Sequence, residues 1–192
     1  MKTKTTLLLL FISIAGFSQE KKNQFGVHIA AGSSILLQTP LTGSAGYNSG
    51  HQTELEVSYA RTLAPRLKLE SGINWRRSTL TISPNLPPGS DVTPRNYSLN
   101  LIYIPVFLRY NFSRYVYFNH GFIADIDINS NKQITNQTGI GAGIGLGGEI
   151  PLSQVLKIQI NPYIHIHRLI GFDHDTYPQK LLDTGIRVGV VF

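Results

Sequence analysis

The chain has 192 residues, no cysteine and a formal charge of +6, so disulfides, thiolate metal sites and cysteine nucleophiles are all excluded. Lysines and arginines outnumber acids by 17 to 11 but form no run, which argues against nucleic-acid binding. No stretch of about 18 consecutive apolar residues is present, so a helical membrane span is excluded as well.

Met1 to Ser18 reads as a cleaved export signal. Lys2 and Lys4 supply a positive start, Leu7 to Phe17 is apolar, and Gly16 and Ser18 place small residues ahead of a cut before Gln19. The apolar part is shorter than the roughly 20 residues a spanning helix needs. No cysteine follows it, so a lipid-anchored N-terminus is not expected. Residues 19–192 are expected to form one domain, with 15 basic against 11 acidic residues once Lys2 and Lys4 are removed, a net +4.

From there the pattern alternates with period two, which predicts strands near 24–35, 52–62, 67–79, 96–110, 115–128, 137–149, 155–167 and 184–192. The connections 63–66, 111–114 and 150–154 are short. Those at 36–51, 80–95 and 168–183 are long, and 129–136 is intermediate. Gly43, Gly46 and Gly50 mark the first long loop, and Pro84, Pro87, Pro88 and Pro94 the second. Short turns therefore fall on the side of the termini and long loops on the other, the asymmetry of an eight-stranded, up-and-down antiparallel transmembrane barrel.

The two faces of the strands differ. One carries Leu55, Val57, Ile73, Trp75, Ile104, Val106, Phe122, Ile144 and Ile164 among other apolar residues. The other carries Glu54, Glu56, Lys68, Glu70, Arg76, Arg109, Asp125, Asp127, Glu149, Lys157 and Arg187, expected to pair as a polar network inside a narrow lumen. Tyr110, Phe112, Tyr115, Phe118 and Phe192 gather near the short turns as an interfacial girdle.

Alternation alone also fits a soluble, periplasmic lipocalin-like barrel with the faces reversed. Two features favour the membrane. Gly139, Gly141, Gly143, Gly145 and Gly147 all fall on the polar face, where they are expected to make room for long charged side chains from across a narrow bore. The last strand, ending in Val188, Val190 and Phe192, looks like the signal that barrel assembly machinery reads in outer-membrane proteins of Gram-negative bacteria.

The stretch from Leu99 to Phe112, LNLIYIPVFLRYNF, resembles the strand motif of the PorT-like outer-membrane β-barrel family, through Ile104, Pro105, Arg109, Tyr110 and Phe112. Tyr103 stands where that family usually carries an acid. The resemblance implies an outer-membrane location and, for some members, a link to protein secretion and the gliding apparatus. Pro105 lacks the ladder N–H and is expected to mark a bulge.

The near balance of charges favours a closed salt-bridged lumen over a thin ion pathway. His165 and His167 share the polar face, His28 lies on another strand, and His174 sits between Asp173 and Asp175. Hydrogen bonding is preferred over metal ligation for these histidines, although the H-x-H spacing would suit a divalent ion. A rim enzyme built on His174 is a distant reading, because no serine partner and no nucleotide or hydrolase motif accompanies it. No cofactor or metal is expected. The expected role is a non-enzymatic structural or accessory barrel, in contact with outer-membrane lipid and with a protein partner at loops 36–51, 80–95 and 168–183. A small passive channel is the alternative.

Overall fold

The computed structural model describes residues 22–38, 46–83, 93–128, 134–173 and 178–192. The proposed export signal, Met1 to Ser18, and His174 lie outside them. The strands are β1 (Asn23–Leu37), β2 (Gly46–Asn48), β3 (Gly50–Ala64), β4 (Leu67–Ser83), β5 (Arg95–Asn111), β6 (Val116–Asp127), β7 (Gly139–Pro151), β8 (Lys157–Gly171) and β9 (Lys180–Val191). Eight long strands pair in chain order, every pair antiparallel, and β9 returns to β1 from Gly26↔Val191 to Leu37↔Lys180. Reciprocal bonds between the Phe25 and Phe192 backbones, 2.9 and 2.8 Å, finish the seam. No long strand is left with a free edge, which is the condition for sheet to cross a bilayer. The three-residue β2 adds to β4 inside what the sequence suggests is loop.

Alternation places the apolar set outside. Phe122 is 70% exposed and Ile73 63%, whereas Arg76 and Arg109, two of the largest polar side chains, are 1% and 2% exposed. A soluble barrel would bury the first pair and wet the second. The lipocalin-like alternative is thus overturned, and the exposed face is one that only lipid satisfies.

Three sequence expectations change. Pro105 marks no bulge, because β5 keeps one register against β6 through Ile104↔Ala124, Pro105↔Ile123 and Val106↔Phe122. On its other side the register is equal at Ser71↔Val106 and Asn74↔Tyr103, with two rungs between them unpaired. The missing N–H removes bonding without inserting a residue. The second change is in β8, which continues past residue 167 to Gly171. Its register shifts between Ile140↔Ile170 and Ala142↔Ile166, where Arg168 adopts φ 54°. This bulge turns both His167 and Arg168 inward, breaking the alternation that the sequence reading needs to extend the strand. Third, β4 reaches Ser83 and β9 begins at Lys180, so the long connections are shorter than the sequence bounds suggest.

Candidate functional site: the barrel lumen

The inward positions stack in four levels from the short turns toward the loops. At the lowest level Glu149, on β7, receives Arg109 from β5 and Lys157 from β8. Arg109 also reaches Glu70 at 3.1 Å and Asn111 at 3.0 Å, while its guanidinium lies 3.5 Å above the Tyr117 ring. Tyr117 lies flat because Gly147 is its rung partner. A Cβ there would stand 2.2 Å from the tyrosine Cζ. Lys68 donates to Gln24 at 2.6 Å.

At the second level Arg187 of β9 meets two acids from β3, Glu54 at 3.2 Å and Glu56 at 2.9 Å. Tyr103 and Tyr163 both donate to Glu54, so one carboxylate collects partners from β5, β8 and β9. Tyr103 thus meets an acid supplied by β3. His28 is held between Gln159 at 3.1 Å and Ser58 at 3.4 Å. A cavity beside His28, Glu56 and Arg187 measures about 30 Å3, enough for roughly two waters.

The third level is organised by Arg76, whose Nη2 lies within hydrogen-bond distance of Ser34, Ser78 and Asp183, with Nε donating to Gln52. Asp183 also faces His167, which faces Asp125 in turn. Asp125 accepts the Arg168 backbone N–H at the bulge. Above this lies an apolar level that sequence reading missed, with Leu36, Leu80, Ile82, Leu99, Leu101, Ile134 and Leu181 packed together. Ile134 comes from the β6–β7 connection and is held over the mouth by Thr135 and Gln137. They bond to Gln179 and to the Asp127 carboxylate.

The structure therefore brings Glu54, Glu56, Glu70, Arg109, Glu149, Lys157 and Arg187 into contact with one another or with shared partners, and links Arg76 to Asp125 through Asp183 and His167. Lys68 stands at the short-turn mouth and Asp127 at the loop rim, where its carboxylate accepts the backbone N–H of Gln137 from the connection above. Asp183 and Arg168, assigned by sequence to a loop, belong to the third level, and the inward period of Gly185 and Arg187 run backward would have found Asp183. The five glycines do open space. At Gly143, Gly145 and Gly147 what fills it is neighbouring rings and amides, such as His165 and Phe107 against Gly143. Gly139 and Gly141 lie against the β8 backbone, and Gly141 also meets the Asp125 carboxylate of the adjacent strand. Long charged groups from across the bore are not what the glycines accommodate. Both nitrogens of His167 are occupied by carboxylates, and the His165 ring is packed among Tyr103, Phe107 and Tyr163. Among the described residues no three His, Asp or Glu side chains form a metal-binding group. Val188 and Val190 point outward at 41% and 40% exposure.

A closed antiparallel ring with a lipid-compatible outside and a charge-paired inside defines an outer-membrane β-barrel protein. The chain belongs to the outer membrane protein beta-barrel domain family, whose model matches residues 5–191. Among solved structures it is similar to the outer membrane protein OprG from Pseudomonas aeruginosa, with a TM-score of 0.51 and 12% identity over 88% of this chain and 94% of that one. Neisserial surface protein A gives a TM-score of 0.47 with 14% identity, over 86% and 96% of the two chains. The Yersinia pestis attachment invasion locus protein Ail, solved with the heparin analogue sucrose octasulfate, gives 0.44 with 13% identity, over 89% and 99%. The likeness to OprG is one of fold. No curated protein matches the chain. The protein resides in the outer membrane.

Proposed function

We propose that the protein is a non-enzymatic, structural or accessory barrel that does not conduct, and that it offers the connections at its loop end to a protein partner. The observation that supports this reading is the occupation of the lumen. A chain of contacts runs from Lys157 through Glu149, Gln159, His28, Glu56, Arg187, Glu54, Tyr163, Gln52, Arg76 and Asp183 to His167 and Asp125, and the apolar level closes over it. Opening a pore would separate buried ion pairs in a medium that penalises lone charges heavily.

The PorT-like strand motif, Ile104, Pro105, Arg109, Tyr110 and Phe112, supports a secretion-related setting in a Gram-negative cell. Export would use Met1 to Ser18, and the outward Val188, Val190 and Phe192 would present the strand to assembly machinery.

Planar-bilayer recording of the refolded chain tests the closed lumen. Silence is expected, and reproducible unitary steps would overturn the reading in favour of a passive channel. Partner binding is tested by crosslinking in cells with residues 84–94 deleted. The wider cut 80–95 suggested by sequence would remove Leu80, which is wholly buried, and Ile82 beside it. Loss of a specific crosslinked band from a barrel that still folds is expected, whereas an unchanged band would free this loop from the role.

A further inference from the structure

The short-turn mouth of the lumen carries an excess of positive charge. A cavity of about 400 Å3 opens there, lined by Arg66, Lys68, Arg109, Arg114 and Lys157 with Glu149, and Glu70 pairs with Arg109 behind the lining, which leaves an excess of three positive charges. Arg109 and Lys157 are engaged by Glu149 and form the fixed floor. Arg66, in the β3–β4 turn, and Arg114, in the β5–β6 turn, stand exposed around the cavity and carry no carboxylate partner among the described residues. Arg114 lies 5.6 Å over the Tyr115 ring, which keeps its guanidinium at the height of the girdle formed by Tyr110, Phe112 and Tyr115. Aromatic girdles mark the headgroup level of a bilayer, and short turns face the periplasm. Phosphate groups of the inner leaflet are therefore at the same height as the unpaired arginines.

We infer that this mouth is a phosphate-binding site, with Arg66 and Arg114 as the groups that hold the anion above a charge-paired floor of Arg109, Lys157, Glu149 and Glu70. The guanidinium fork suits a phosphate oxygen pair, and exposed arginines close such a contact without breaking an existing one. The anion is either the headgroup of an anionic phospholipid or free phosphate.

The test uses the full mature chain in nanodiscs of phosphatidylcholine, with and without phosphatidylglycerol. Lipid retention is read by native mass spectrometry and inorganic phosphate binding by 31P NMR titration. The variant is R66Q/R114Q, with R77Q, in the loop-side half of β4, as the control. Wild type and R77Q are expected to bind one probe at least tenfold more tightly than R66Q/R114Q, with equal heat-modifiable gel shifts showing that all three are folded. Retained phosphatidylglycerol that phosphate fails to displace identifies a lipid site. Phosphate binding without lipid enrichment identifies a free-anion site. Equal binding of both probes by wild type and R66Q/R114Q, or binding of neither by wild type, overturns the inference.

Discussion

Nε2 of His167 lies 2.9 Å from Oδ2 of Asp183, and this contact ties the end of β8 to the start of β9 just below the apolar level. The other oxygen of Asp183 takes Arg76 at 2.5 Å, and the other nitrogen of His167 faces Asp125 at 2.7 Å. Two carboxylates accept and do not donate, so with both ionised the imidazole donates at each nitrogen and carries a positive charge. Two acids and two cations then alternate as Asp125, His167, Asp183 and Arg76, neutral as a set and wholly buried.

Asp183→Asn removes the negative charge that Arg76 and His167 share and leaves Arg76 buried without a carboxylate partner among the described residues. Breaking a buried pair of this kind costs on the order of 3 kcal/mol. Urea unfolding in lipid vesicles, followed through Trp75, the single tryptophan, checks this. Trp75 faces outward, so its fluorescence reports loss of the lipid environment. Adding His167→Gln to the variant is expected to cost less than the sum of the two single changes, because both act on one chain of contacts. An additive result would show that the four groups do not act together.

Why Asp183 escaped sequence reading while Arg187 did not is a matter of local pattern. Arg187 sits among Ile186, Val188 and Val190, where alternation is unmistakable. Asp183 follows Leu181 and Leu182 and is preceded by a proline-containing connection, a setting that resembles loop. Arg168 was hidden more deeply, since the bulge that turns it inward exists only through pairing with β7. The ring, the outward apolar face and most inward charges were legible because period two encodes them directly. The apolar level was not, because Leu80, Leu99 and Leu101 lie inside a lumen whose other inward positions are largely polar, and no local rule distinguishes the two ends of a strand.

Gly147→Ala tests the close approach at the lowest level. The added methyl meets the Tyr117 ring, which must then leave its place beneath Arg109. Overpacking of this sort costs about 1–3 kcal/mol. Tyr117→Ala in the same chain removes the clash, so the glycine substitution is expected to become nearly neutral in that background. A penalty that persists without the tyrosine ring would place the strain in the backbone instead.

Phe122→Arg addresses the outward face. Phe122 is paired with Val106 and Ala142 near the middle of its strand, and its neighbours on that face are apolar. A cation on the lipid side near the bilayer midplane costs roughly 2–4 kcal/mol. The unfolding midpoint in vesicles is expected to fall accordingly, while Tyr115→Arg at the girdle should shift it far less. Equal effects at the two depths would argue that this face does not lie against hydrocarbon.

Ile134→Asp tests whether the β6–β7 connection seals the loop-side mouth. Ile134 is 4% exposed and packs among the leucines of β1, β4, β5 and β9, so a carboxylate there has neither water nor a partner. The lowest-cost response is for the segment from 134 to 138 to lift off, giving up the bonds of Thr135 and Gln137 to Gln179 and Asp127 while the eight-strand ladder stays intact. Limited proteolysis of intact vesicles should then cut this connection several-fold faster than in the wild type, with the heat-modifiable gel shift unchanged. If cutting accelerates equally at the other loops, the substitution has loosened the barrel as a whole and Ile134 is no seal. If the rate does not change, the leucines below close the mouth without it.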